Sequence, residues 1–271
     1  MSDGPLLVVA ALAQELGAVR PYLSGQPPVT AGDLCLRPGR LPSGRELWAA
    51  TLGVGGKRSG KALTDALAAK PPAAILGLGL AGGLRPDLAA GTAVPVLGVA
   101  APVGEIPPVP DDDPEDSAEM MAEPPQPRRL PCGKADLSGL RRAAAKAGVR
   151  RAEGWVLTVD RIAHEPALKL HLHRYSWGAA AVDMEGYAWQ TAAHAAGVPL
   201  TMLRVIIDEQ RYHLPDLEAA AAANGAIGAG AVLRLVLRRP GLLTELPGLM
   251  RRFGRAQRTL RRLVRAYLEG C

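Results

Sequence analysis

AAVDMEGYAWQTAAHAAGVPLTMLRVIIDE, residues 180–209, shows the alternation on which the predicted fold rests. The apolar segment Ala179 to Asp183 predicts a strand, and so does Leu200 to Ile207. Glu185 to Ala196, between them, predicts a helix. A strand, a helix and a second strand in this order are typical of a largely parallel sheet with helices on its faces.

The same alternation extends toward the N-terminus. Leu6 to Leu12 is a continuous apolar run, as expected of a central strand that is covered on both faces. A chain of 271 residues, 48% of them hydrophobic, is long enough for one large α/β domain. Further strands are predicted at 47–52, 73–80, 92–99 and 154–159, and helices at 13–22, 57–69, 137–147, 164–173 and 217–237.

The composition excludes several classes of protein. The chain has three widely separated cysteines and no CxxC spacing, which argues against a disulfide framework or a zinc site and favours a reducing compartment. Its apolar N-terminal stretch lacks a preceding basic segment, and no apolar run reaches the roughly 18 residues that span a bilayer. Neither GxGxxG nor a P-loop motif occurs. We therefore expect a cytoplasmic protein without a dinucleotide or P-loop site.

Residues 102–131 interrupt the pattern with many prolines, and 111–123 contain seven acidic residues. This composition predicts a long surface loop, for which a simple insertion and a lid over the site both stay open. The loop would belong to an α/β domain that covers residues 1–240, followed by a basic helical extension at 241–271.

Polar residues that follow predicted strands are the candidates for chemistry, because open α/β sheets bind ligands beyond the carboxyl ends of their strands. They are Glu15 after the first strand, the glycine turn at 79–84, Asp183 to Glu185, and Asp208. Taken singly, each has a structural explanation: Glu15 as an acid in a first helical turn, and Asp183 and Asp208 as caps at strand ends. Taken together, they are the convergence of acids that acid/base chemistry requires.

Three segments together resemble the nucleoside phosphorylase and methylthioadenosine/S-adenosylhomocysteine nucleosidase superfamily. They are VVAALAQEL at Val8–Leu16, GLGLAGGLRPDLAAGTAV at Gly77–Val94, and the Met-Glu pair, helix and Arg-x-x-x-Asp strand of Ala180–Glu209. The resemblance implies a three-layer αβα sandwich with a mixed, mostly parallel central sheet. It also implies a homo-oligomer and no metal or organic cofactor, with phosphate as a co-substrate in one branch.

The resemblance also implies roles for individual residues. Asp208 matches the acid that protonates N7 of the purine as the ribosyl bond breaks, and such an acid needs a raised pKa. Glu185 matches the carboxylate that binds the ribose hydroxyls, and Met184 the side chain under the sugar. Glu15 matches the base that activates water in the hydrolytic branch. Arg204 resembles an arginine that orients the acids, although a structural ion pair explains it equally well.

The remaining predicted contacts lie in the glycine turn and beside the acids. Leu80, Ala81 and Gly82 are expected to line the substrate site. The family often has serine in place of Leu80 and Ile207, and glutamate in place of Asp183, so the pocket is expected to be more apolar. Residues 10–15 lack an arginine, which favours water over phosphate, although Lys57 and Arg58 could serve an anion.

The segment 246–268 predicts a basic amphipathic helix, because apolar residues recur at helical spacing and seven arginines fall within 250–265 without an acid. It could pack on its own domain or on a second subunit, or it could contact an anionic membrane at the inner face of the cytoplasmic membrane. Nucleic acid is not expected, since no binding motif accompanies the charge.

This tail and the apolar substitutions also resemble the hopanoid-associated phosphorylase-like subfamily, which is linked to removal of adenine from adenosylhopane. The leading hypothesis is therefore a bacterial enzyme that releases adenine from this lipid-linked nucleoside by water or phosphate. A soluble nucleosidase acting on methylthioadenosine, S-adenosylhomocysteine or futalosine is the first alternative. A non-catalytic nucleoside-binding or membrane-associated protein is the second.

Overall fold

The computed structural model describes residues 4–106, 109, 126–133, 135–214 and 242–271. The predicted acidic cluster at 111–123, the predicted helix at 217–237 and the domain boundary at residue 240 lie outside these ranges. In chain order the described residues form β1 (Leu6–Ala10), β2 (Val29–Ala31), β3 (Leu34–Arg40), β4 (Glu46–Thr51), α1 (Gly56–Ala69), β5 (Ala74–Gly83), β6 (Ala93–Ala101), β7 (Arg128–Pro131), α2 (Leu137–Ala147), β8 (Gly154–Thr158), α3 (Pro166–Tyr175), β9 (Ala181–Asp183), α4 (Gly186–Ala195), β10 (Leu200–Asp208) and α5 (Leu242–Leu268).

The strands form a mixed sheet, as predicted. β4, β1, β5 and β10 run parallel to one another in this order. β10 continues into β6 by an antiparallel pairing, β6 and β9 both pair in parallel with β8, and β9 returns antiparallel to the end of β5. The strands β5, β10, β6, β8 and β9 thus close into a ring, and the carboxyl ends of β5, β9 and β10 meet at its mouth.

Helices cover both faces of the sheet, which confirms the layered α/β prediction. Residues of α1 and α4 pack with one set of alternating strand residues, including Leu7 and Val9 of β1. Residues of α2 and α5 pack with the opposite set, including Leu6 and Val8. Since all four of these β1 side chains are buried, the continuous apolar run of this strand is explained by burial on both faces.

The structure differs from the prediction in three segments, one of which, residues 29–40, had no predicted element. Residues 13–22 form two short 3-10 turns, Glu15–Ala18 and Arg20–Tyr22, rather than one helix. Pro21 explains the break, because proline removes a donor and its ring clashes with the preceding turn. Residues 29–40 contain β2 and β3, and β7 lies inside the predicted loop, where it pairs antiparallel with β6. These strands contain several exposed residues, so they lack a continuous apolar signal.

The basic C-terminal helix α5 packs on its own chain. Its apolar residues from Ala256 to Leu268 are buried against α2 and the sheet, while Arg255, Arg258, Arg261, Arg262 and Arg265 are exposed. The packing alternative is therefore the one observed for the apolar residues between Ala256 and Leu268, whereas Met250 of the predicted stripe is exposed. Within the described ranges, no helix combines the length and the apolarity needed to cross a membrane.

Candidate active site

The predicted acids come together at the mouth of the strand ring. Glu15 lies in the 3-10 turn after β1, Glu185 directly precedes α4 after β9, and Asp208 ends β10. Gly82, near the end of β5, pairs with Asp208 on one side and with Val182 of β9 on the other. The fold thus gathers acids that are nearly 200 residues apart in sequence.

Glu15 is held by the backbone of two neighbouring segments. Its Oε2 accepts a hydrogen bond from the N–H of Leu12 at 2.9 Å, and its Oε1 accepts one from the N–H of Leu80 at 3.0 Å. The residue is 4% exposed. Burial raises the pKa of its carboxyl, and the backbone hydrogen bonds from Leu12 and Leu80 oppose that effect. Glu15 thereby fixes the first turn against the end of β5.

Glu185 is tied to the loop before α1. Its Oε1 accepts a hydrogen bond from the N–H of Gly55 at 2.8 Å. Gly55 has φ +92°, which favours glycine. Burial and the nearby Asp183 carboxylate raise the pKa of Glu185 to about 7. Met184, the residue before Glu185, is half-buried. Its carbonyl oxygen lies close to Gly56, where a Cβ atom, if present, would be only 3.1 Å from that oxygen.

Asp183 and Arg204 form a buried pair beneath the site. The Nε of Arg204 donates to Oδ2 of Asp183 at 2.8 Å, and the guanidinium lies 5.0 Å above the ring of Trp189. Asp183 also accepts from the hydroxyl of Thr158 at 2.7 Å and from the N–H of Gly186 at the start of α4. Both carboxylate oxygens are therefore used within the protein. The positive charge of Arg204 partly offsets the rise that burial causes in the pKa values of Glu15 and Glu185.

Asp208 has a partner that the sequence did not indicate, Lys169 of α3. The ammonium of Lys169 donates to Oδ2 of Asp208, and both side chains are buried. Oδ1 of Asp208 is also buried and has no hydrogen-bond partner among the residues that the structure describes. Burial raises the pKa of Asp208 to about 6, and Lys169 opposes that rise. The acid predicted to be protonated therefore has a pKa well above its ordinary range.

Lys169 was missed because its partner is distant in sequence. The available signal was its place on the buried face of α3, three and seven residues before Leu172 and Ser176, which are both buried. A lysine on such a face requires a partner, since burial of an unpaired charge is costly. Nothing in the sequence identifies that partner as Asp208.

The predicted apolar contacts surround the same ring mouth. Ala81 is buried, whereas Leu80 and Ile207 are half-buried and pack at the edge of the α2 and α5 core. At Gly82, a side-chain carbon would lie 3.1 Å from Val182 and 3.6 Å from Oδ1 of Asp208. The lack of a side chain at Gly82 thus keeps space beside the unpaired carboxyl oxygen.

Comparison with known proteins gives the family of this fold. The family model described as "Phosphorylase superfamily" matches residues 5–238. The chain belongs to the Phosphorylase superfamily. Membership supports a nucleosidase or nucleoside phosphorylase enzyme. No curated protein matched the chain.

Solved structures of nucleosidases share the fold of this superfamily member. The methylthioadenosine/S-adenosylhomocysteine nucleosidase of Neisseria meningitidis has a TM-score of 0.68 at 18% identity, covering 98% of this chain and 99% of that one. The S-adenosylhomocysteine nucleosidase of Streptococcus pyogenes gives 0.66 at 18% identity, over 100% and 98% of the two chains. The futalosine hydrolase of Helicobacter pylori gives 0.61 at 19%, over 76% and 85%. Identities this low establish the shared fold.

Proposed function

We propose that this protein is a purine nucleosidase that hydrolyses the N-glycosidic bond between adenine and a ribosyl group. The observation that carries the proposal is the convergence of Glu15, Glu185 and Asp208, all buried, at the mouth of the strand ring. Burial raises the pKa of each of them. Carboxyls with raised pKa values gathered in a protein of this superfamily fit a reaction that needs both an acid and carboxylates.

Asp208 is the proposed acid. Breakage of the bond leaves negative charge on the departing base, and proton transfer to N7 of the purine neutralises it. A carboxyl with a pKa of about 6 keeps an appreciable protonated fraction near neutral pH, which an ordinary aspartate does not. Its Oδ1, which has no hydrogen-bond partner among the described residues, would donate that proton.

Glu185 is the proposed partner of the sugar. One of its oxygens is held by the N–H of Gly55, which leaves the other for the ribose hydroxyls. Positive charge develops on the sugar as the bond breaks, so an ionised carboxylate beside it stabilises the transition state more than the ground state. Met184 would pack under the ribose.

Water is the proposed nucleophile, activated by Glu15. In the described part of the chain, Arg204 and Lys169 are the cations within the cluster, and each is bonded to an aspartate. A phosphate site would need cations for the anion, whereas water needs only a base. Lys57 and Arg58 at the start of α1 are exposed and are the candidates for an anion if phosphate is used instead.

Two classes of adenine nucleoside are candidate substrates. Small soluble nucleosides such as methylthioadenosine are supported by the shared fold with nucleosidases that act on them. A lipid-linked nucleoside such as adenosylhopane is supported by Leu80 and Ile207, which are half-buried near the acids, and by the exposed arginines of α5. Because the apolar residues of α5 between Ala256 and Leu268 are buried in their own domain, membrane attachment through this part of the helix would be electrostatic, and the exposed Met250 is the apolar side chain that could add to it.

The proposal is tested by release of adenine from methylthioadenosine, and from adenosylhopane in liposomes, with and without phosphate. Asp208→Asn should slow release by about 10²- to 10⁴-fold, because the amide cannot act as the acid. Asp65→Asn is the matched control, since Asp65 pairs with Lys61 on α1 away from the cluster. Release only with phosphate would make the protein a phosphorylase, and no release from either nucleoside would refute the proposal.

A further inference from the structure

Lys169 is fully buried, and all of its N–H donors have acceptors. Its side chain is 0% exposed, and its ammonium donates to Oδ2 of Asp208, to the carbonyl of Glu209 at 3.1 Å and to the carbonyl of Tyr212 at 2.8 Å. An ammonium has three N–H donors, so these three acceptors use all of them. One lysine therefore holds both the predicted acid and the chain segment that follows it.

We propose that Lys169 is a positioning residue which directs the catalytic proton of Asp208 to Oδ1. This inference rests on the proposed function, in which Asp208 is the acid. An ammonium group can donate hydrogen bonds but cannot accept one, so a proton on Oδ2 would point at a group that cannot accept it. A neutral Asp208 therefore carries its proton on the other oxygen. Oδ1 is that oxygen, and it borders the space that Gly82 leaves empty of a side chain.

Lys169 also sets the pH range in which Asp208 can act. Within the part of the chain that the structure describes, the charged groups that act on Asp208 are Lys169 of α3, Glu209 next in the chain, and Arg252 of α5. Burial raises the pKa of Asp208, and among the charged groups Lys169 lowers it most. Glu209 is itself paired with Arg252 at 2.9 Å. Removal of Lys169 should therefore raise the Asp208 pKa further.

A purely structural role would give a different result. Lys169 anchors residues 209–212, and the N–H of Leu214 beyond them donates to the carbonyl of His164 at 2.9 Å. If anchoring of this segment were its whole role, replacement of Lys169 would lower stability or activity without changing the titration of Asp208. A direct measurement of that titration separates the two roles.

The experiment compares Lys169→Met with Lys169→Arg. Carbon-13 NMR of carboxyl-labelled aspartate follows the titration of Asp208, assigned with Asp208→Asn, in the wild type and both variants. Lys169→Met should raise the Asp208 pKa by about one unit or more, and Lys169→Arg should keep it near the wild-type value. An Asp208 pKa in Lys169→Met equal to that of the wild type would overturn the proposal.

Kinetics of adenine release provide the second measurement. Lys169→Met should lower kcat by about 10- to 100-fold with little change in KM, because a loosely held acid is misplaced. Its pH optimum should also move upward by about half a unit or more. A lowered kcat with an unmoved optimum would assign Lys169 a structural role only. Absence of adenine release from the wild type would refute the proposed function alone, since the NMR titration does not depend on activity.

Discussion

The dependence of kcat/KM on pH should be a narrow bell centred near pH 6.5. Asp208, the proposed acid, has a pKa of about 6 and would act when protonated, so its contribution should be lost as the pH rises through 6. Glu185, the proposed partner of the sugar, has a pKa of about 7 and would act when ionised, so its contribution should be gained as the pH rises through 7. The optimum of two such requirements lies midway between the two pKa values.

The size of the effect follows from these values. At pH 6.5 about a quarter of the molecules have a protonated Asp208 and about a quarter have an ionised Glu185, so about 6% hold both groups in the reactive form. At pH 5 and at pH 8 that fraction is about 1%, so kcat/KM should be about sixfold lower at either pH than at the optimum. Initial rates of adenine release at low methylthioadenosine concentration measure it.

Glu185→Gln separates the two limbs of the bell. An amide does not ionise, so the rise of kcat/KM through about pH 7 should disappear, and the acid side of the profile should then depend on Glu15, the proposed base, whose own pKa is raised by burial. The fall as the pH rises through about 6, where Asp208 loses its proton, should remain. Asp65→Asn should retain the whole bell. A wild-type profile that is flat from pH 5 to pH 8, or an optimum above pH 8, would refute the assignment of both groups.

Three further predictions concern stability and are measured by urea unfolding. Arg204→Met should lower the free energy of unfolding by about 3–5 kcal/mol, because it leaves Asp183 buried without its cation. Leu263→Ala should lower the free energy of unfolding by about 2–5 kcal/mol, because Leu263 is fully buried on α5. Arg258→Ala, on the exposed face of the same helix, should change the free energy of unfolding by less than about 0.5 kcal/mol. Glu185→Gln should match the wild type near pH 4 and be about 3 kcal/mol more stable at pH 8. The reason is that a raised carboxyl pKa destabilises the fold increasingly as the pH rises from the unfolded value of about 4.5 to the folded value of about 7.

The central strands could be predicted because their residues are buried on both faces. The strands β1, β5, β6 and β10 are largely buried, and all four are apolar along their length except β10, which also contains Thr201, Arg204 and Asp208. β3 alternates between buried and exposed residues and contains Pro38 and Gly39, so its sequence lacks the apolar run that would predict a strand. The closure of the strand ring has no local signal at all, because it depends on pairings between segments far apart in the chain.

The convergence of the candidate acids could be predicted because each follows an apolar strand and matches a motif of the family. What the sequence could not supply was how these groups are paired. Asp183 is bound to Arg204 and Thr158, and Asp208 to Lys169, so each aspartate already has a cation. Such pairings depend on side-chain geometry, which strand and helix periodicity do not contain. The same limit applies to α5, whose amphipathic pattern indicates a stripe to be covered but not which surface covers it.

The pairing has a chemical consequence that the list of acids alone does not reveal. Because Arg204 is bonded to Asp183 and Lys169 to Asp208, the buried cations are matched to the two aspartates, and Glu15 and Glu185 are left with backbone N–H partners. Neither of these two carboxyls is bonded to a cation of the described residues, and burial raises the pKa of both, so positive charge that enters the site lowers its free energy. The sugar of a nucleoside acquires that charge only as the glycosidic bond breaks. In the proposed reaction, the cluster would therefore stabilise the transition state more than the neutral bound nucleoside, which is the condition for catalysis rather than for binding alone.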